Sequence, residues 1–358
     1  MSFRIVLFED NNDYGKRILQ ALVGALQNRG NALRFDLDKK PTSRGPYQDL
    51  VEMSLRVEPY VTADLVVADY DLSESLGYPG LSEQQVRAAA TRMAIPECGY
   101  ARGGTESSDD YVRLAKQREA SIVLDFKPGH EEDLAKQAVS VAEGFAFIVE
   151  RLPAVLTELK RTTPGILLAT VLGKPEYADK IALYASGDQD RLVDMKKDKN
   201  EEAEHYRRRL SCALGYWLWD SILRYPGVLV NPVAASSYLN ILTADFETPD
   251  VQGLFSAARY GGPFAEAGDP QWWRGMLDDI VAGSGFSDGR EFASSKLPKE
   301  VRRSECSVDH KMPAGYYCMI SKRPVSLMNS KGGLPWFPRG ADLARVSKSK
   351  MEELGPWL

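Results

Sequence analysis

The chain has 358 residues, 44% hydrophobic and 27% charged, with a formal net charge of −5. This is the composition of an ordinary globular protein, long enough for two domains of about 100–200 residues each. It contains no run of about 18 apolar residues and no long apolar leader with a small-residue cleavage site, so the expectation is a cytoplasmic protein with no membrane partner.

Short apolar runs alternate with amphipathic stretches through the first half. Arg4–Phe8 reads as a buried strand ending in Glu9-Asp10. A helix is expected from about Tyr14 to Asn28, with Ile18, Leu19, Leu22, Val23 and Leu26 on one face. Ala32–Asp36 is a second candidate strand, and Leu65–Ala68 a third, apolar on both faces as a central parallel strand should be. Ser82 suits the cap of a helix through Met93. Glu97–Ala101 is a weaker fourth strand and Ser121–Leu124 a clear fifth. A long amphipathic helix opens on Glu131-Glu132-Asp133, acids that complement its dipole, and runs to about Leu152. Strands alternating with helices imply a doubly wound parallel sheet of five strands. Beyond Pro153 the pattern is mainly helical, with a polar break at Lys196–Glu202. The expected organisation is an α/β domain over residues 1–150 and a mainly α-helical second domain over 151–358.

Ligands of doubly wound sheets gather at the carboxyl ends of the strands. There the sequence places Glu9 and Asp10 after the first strand, Asp69 after the third and Lys127-Pro128 after the fifth. Crowded carboxylates can hold a hard cation, most often Mg²⁺, which neutralises an incoming phosphoryl group and lets a carboxylate attack phosphorus. A lysine suits the acyl-phosphate oxygens.

With Glu9-Asp10, the unit Asp69-Tyr70-Asp71-Leu72 and Lys127-Pro128, residues 3–150 resemble the receiver domains of response regulators. The resemblance implies that Asp69 is the phosphoacceptor and that Lys127 contacts the phosphoryl group. It also implies that Glu9, Asp10, Asp69 and the main-chain carbonyl of Asp71 hold Mg²⁺. A histidine kinase or phosphotransfer protein would then be the donor, and a homodimer is an open possibility. Two features depart from the family. Tyr100 stands at the switch position usually held by Thr or Ser, and the loop after Asp69, residues 73–80, is long. The wider gap between Asp10 and Asp69 fits an insertion around residues 39–48.

The second half carries no recognisable catalytic set. Tyr216–Trp219 and Trp272-Trp273 read as core aromatics at helical spacing. Val233–Ile241 has the rhythm of a first helix of a helix-turn-helix, but the acidic segment after it, residues 243–250, would repel phosphates. Cys306, His310 and Cys318 match no standard zinc spacing, and all four cysteines, with Cys98 and Cys212, read as free thiols. His205 lies on a charged helical face, where exposed surface is favoured over a phosphorelay role. Charge is uneven: residues 1–150 carry about −7 and residues 151–358 about +2. Residues 311–350 hold eight Lys and Arg against one Asp, a contact surface for an acidic partner or merely a solvated one. Lys331-Gly332-Gly333-Leu334-Pro335-Trp336-Phe337-Pro338-Arg339 suggests a rigid partner-docking loop, with Lys331 and Arg339 flanking Trp336 and Phe337; the equal alternative packs the aromatics inward. The expectation is a two-component signalling protein, phosphorylated on Asp69 and relaying to a C-terminal output. The alternatives are a pseudo-receiver scaffold and a phosphorylation-controlled DNA-binding protein.

Overall fold

A computed structural model describes residues 2–101, 122–158, 163–187, 197–311 and 313–355. Five strands, β1 (Phe3–Phe8), β2 (Gly30–Arg34), β3 (Leu65–Asp69), β4 (Glu97–Tyr100) and β5 (Ile122–Leu124), form one parallel sheet in the order β2-β1-β3-β4-β5. The strand order reverses between β1 and β3, so a topological switch point lies there. Every residue of β3 is buried, as expected of a central strand covered on both faces.

Helix α1 (Asn12–Leu26) starts where the Asn11 side chain accepts from the N–H groups of Asp13 and Tyr14. It ends at Gln27 and Asn28, both in the left-handed region. Ile18, Leu22 and Leu26 are buried on its inner face, whereas Val23 points outward and is exposed. β2 begins and ends two residues earlier than the apolar run suggested. Phe35 still donates its N–H to the Leu7 carbonyl of β1 and stacks on Phe8 at 4.4 Å, and the Asp36 carboxylate accepts from the N–H groups of Asp38 and Lys39 to start a turn. The span read as an insertion contains the start of a further helix, α2 (Tyr47–Leu55), which buries Leu50, Val51 and Leu55. Helix α3 (Glu83–Arg92) has the expected Ser82 cap, completed as a capping box by Gln85. α2 packs on α3 against one face of the sheet. Ser121 lies outside the described residues, as does Lys196.

The other face is covered by α1 and by α4 (Glu131–Glu158), whose first turn carries the three expected acids. α4 continues through Pro153 rather than stopping before it. The residue expected to divide the chain, 150, falls inside this helix. Tyr100, Phe145, Trp217 and Trp272 belong to one buried apolar cluster that passes from the sheet through α4 into the second half.

The second half is helical through α5 (Pro164–Val171), α6 (Ala178–Ala182), α7 (Ala203–Trp217), α8 (Pro232–Leu239), α9 (Thr243–Phe246), α10 (Pro249–Leu254), α11 (Arg274–Gly283) and α12 (Gly289–Lys296). Trp217 is fully buried in α7 as expected, and a π-turn over Leu218–Leu223 follows. Trp272 and Trp273 are also buried, but as β7, which pairs with β6 (Leu229–Val230) rather than lying in a helix. The mainly helical expectation fails from about residue 316. There β8 (Tyr316–Tyr317) pairs with β9 (Pro324–Val325), and β10 (Ser330–Gly332) with β11 (Arg345–Ser347), before the short α13 (Lys348–Leu354). Pro324, Gly332, Gly333, Pro335, Pro338 and Gly340 punctuate that stretch too often for a helix. Among the described residues, no helix is long and apolar enough to cross a membrane.

Candidate functional site

The ends of β1 and β3 bring Asp69 together with the adjacent pair Glu9 and Asp10, far from it in the sequence. Ligand oxygens of Glu9, Asp10 and Asp69 lie within 4.8 Å of one another, the one group of potential metal ligands found among the described residues. Glu9 is 0%, Asp69 1% and Asp10 9% exposed. Three carboxylates this close and this sheltered repel one another unless a cation or protons intervene.

Backbone and side-chain donors hold each carboxylate in place. The Asn11 N–H donates to Glu9 Oε1 at 2.8 Å, and the Tyr100 hydroxyl to Glu9 Oε2 at 2.7 Å. The Glu74 N–H donates to Asp10 Oδ2 at 2.7 Å, and the Asp71 N–H to Asp69 Oδ1 at 3.2 Å. Beneath them, Arg34 Nε and Nη2 donate to the carbonyl of Glu9 at 2.9 and 2.7 Å, fixing the β1–α1 loop. Gly15 makes room for that guanidinium, since a Cβ there would meet Arg34 Nε at 2.8 Å.

The long loop after Asp69 has a structural task. Gly77 packs directly on the preceding loop, where a Cβ would sit 2.6 Å from the Lys39 carbonyl oxygen, and its N–H donates to the Leu37 carbonyl. The buried Tyr78 meets Phe35 at 5.9 Å and Tyr47 at 5.7 Å. The two loops brace each other, and the second delivers the Glu74 N–H to Asp10.

Asp71 is exposed and its carboxylate accepts from the Ser73 N–H, outside the carboxylate group. Lys127 is exposed in the loop after β5; the acids and this lysine share one edge of the sheet, with β4 standing between β3 and β5. Tyr100 is fully buried, pairs in register with Asp69 and packs edge-to-face on Phe126 at 5.4 Å. In turn, Phe126 meets Tyr14 of α1 at 6.3 Å.

The opposite end of the sheet carries a second set of polar groups. The Tyr216 hydroxyl of α7 accepts from the Glu97 N–H at 2.7 Å and donates to the Glu97 carbonyl at 3.0 Å, extending the ladder where β5 has not yet begun. Arg208 donates to the carbonyl of Ala63, and His205 contacts the carbonyl of Arg92 and the Glu201 carboxylate. His205 is therefore engaged between helices rather than simply exposed. Burial drives the Glu97 carboxyl well above its ordinary range, and the neighbouring Glu83 adds to the rise against the pull of Arg87, whose Nε lies 3.4 Å away.

Farther along the chain, Lys331 lies in β10 and is exposed, as is Arg339, whereas Phe337 is buried. Trp336 is half-buried, and both rings pack on Tyr225, so this aromatic pair turns inward. α8 buries Ala234, Ala235, Ser236, Ser237 and Leu239, and the helix that follows it has four residues. Cys306 and Cys318 are buried and His310 is exposed. Burial alone would push both thiols up. Backbone N–H groups of Val308 and Asp309 at Cys306, and of Ser321 and Ser347 at Cys318, outweigh it and hold them below their ordinary range.

Compared with known proteins, the chain matches no family model, no curated protein and no solved structure.

Proposed function

We propose that this protein is a phosphoacceptor signalling protein of the receiver type, with Asp69 as the acceptor and Mg²⁺ as the resident cation. The observation that carries this reading is the convergence of Glu9, Asp10 and Asp69 at the switch point of the sheet. The donor set fits a hard cation, being all oxygen, anionic and sheltered. Glu9, Asp10 and Asp69 would hold it, with the main-chain carbonyl of Asp71 as the further ligand implied by the receiver resemblance. When bound, it supplies charge neutralisation for the phosphoryl oxygens.

The chain's own groups do the rest. The Asp71 N–H orients Asp69 through Oδ1. An Asp69 carboxylate oxygen would form the bond to phosphorus as the P–N bond of a phosphohistidine donor breaks, and the departing imidazole takes a proton from solvent. Lys127 would meet the transferred oxygens as a mobile cation. Output would pass through α4, the element shared by both halves of the chain.

One observation favours a second reading, a scaffold that never takes phosphate. Tyr100 replaces the small hydroxyl of the switch position, and it is buried and tied to Glu9. The test is intact mass after incubation with Mg²⁺ and a small phosphodonor, run beside Asp69→Asn. A phosphate adduct on the wild type alone is expected. No adduct, together with no beryllofluoride binding, would transfer the case to the scaffold.

A further inference from the structure

The receiver reading leaves the basic C-terminal region without a task. Its most exposed apolar side chains lie together on two adjoining turns. Leu327 is 55% exposed, Met328 75% and Val308 39%. The turns are fastened side by side: the Ser307 N–H donates to the Pro324 carbonyl, and Asn329 Nδ2 to Cys306 Sγ at 3.5 Å. The Leu327–Met328 turn is closed by the Asn329 N–H on the Ser326 carbonyl.

Basic residues flank this tip along the backbone. Arg345 Nη2 donates to the carbonyls of Ser330 and Leu327, Lys331 pairs in register with Val346, and the Lys348 N–H donates to the Asn329 carbonyl. Lys311 closes the Cys306 turn through its carbonyl. Two acids lie on the same segment: the exposed Glu305 beside Cys306, and Asp309, whose carboxylate accepts from the Lys311 N–H.

We infer that this tip is a docking surface for an anionic lipid bilayer, with Leu327, Met328 and Val308 entering the interface and Lys311, Lys331, Arg345 and Lys348 lying against the headgroups. Isolated exposed apolar residues need no explanation, but three on adjoining turns inside a basic rim do. All three side chains are exposed, so a fluid interface can surround them without a pre-shaped pocket. Leucine and methionine supply burial, and each cation near an anionic surface adds attraction that salt screens. Such a contact is peripheral and needs no spanning helix, so it revises the expectation of no membrane partner, which rested on the absence of a span. The acidic first half would be held away from a negative surface by its own charge.

The test is flotation of the full chain with vesicles of phosphatidylcholine alone, and of equal parts phosphatidylcholine and phosphatidylglycerol, at low and at moderate salt. Co-flotation with the anionic vesicles only is expected. The double variant Leu327→Ser/Met328→Ser should partition about tenfold or more weakly, because two apolar side chains lose their burial. Lys331→Glu/Lys348→Glu should lose binding as well. Both pairs are on the surface, and an unchanged melting temperature would show that the variants fold. Failure to float with anionic vesicles overturns the inference, as does anionic binding that Leu327→Ser/Met328→Ser leaves untouched. Retention on duplex DNA without flotation would also overturn it, in favour of a nucleic-acid surface.

Discussion

The two ends of the five-stranded sheet are built to opposite rules. At the carboxyl end, three carboxylates converge and are steadied by N–H donors from mobile-looking sequence, loops that brace each other. At the amino end, every polar group named is tied to another part of the chain: Tyr216 closes on Glu97, Arg208 on Ala63, and His205 on Arg92. One end concentrates carboxylates that could hold a metal ion; the other spends its polar groups on joining the two halves. Crowding of this kind is expected where function resides.

Single substitutions should therefore have opposite signs at the two ends. The largest expected effect is at the junction. Tyr216→Phe removes a hydroxyl that both accepts from and donates to Glu97, leaving buried backbone groups to fend for themselves, and should cost about 1–3 kcal/mol in urea denaturation. At the acidic end, Asp10→Asn relieves repulsion while keeping an oxygen for the Glu74 N–H. It should raise stability by about 1 kcal/mol in chelator and abolish any stabilisation by added Mg²⁺. A loss of stability in chelator would break the comparison.

The smallest effect is one of slope. Burial, with Glu83 beside it, raises the Glu97 carboxyl well above its ordinary value of 4.5. The folded state then binds a proton that the unfolded state releases, so this contribution is complete below about pH 4.5 and is lost as pH rises through the raised folded value. Glu97→Gln should flatten stability against pH across that window, as read from melting temperatures in a buffer series.

Much of the first half was legible because buried parallel strands are short, apolar and punctuated by acids. Glu9, Asp10 and Asp69 could be singled out as strand-end residues before their convergence was seen. Arg34 could not, because nothing local to its sequence shows that its guanidinium returns to the carbonyl of Glu9. Tyr100 ends β4, within the strand expected there, but its bond to Glu9 depends on the lateral spacing of β1, β3 and β4. α2 was missed because its buried Leu50, Val51 and Leu55 give too short a pattern to stand out from a loop. The terminal ribbons were missed because their strands have two or three residues each, below what alternation can reveal. The continuity of the core past residue 150 was equally hidden, since a helix reads the same whether it ends one domain or threads two.

That helix also has a mechanical consequence. At 28 residues, α4 is about 42 Å long, rooted beside the acidic edge of the sheet and gripped farther along by α7. A rod of that length tilting by about 5° about one end carries its far end through about 4 Å, roughly two-thirds of the pitch of one helical turn. An ångström-scale adjustment near Phe126 would thus arrive at the other half of the chain enlarged into a sideways displacement of several ångströms.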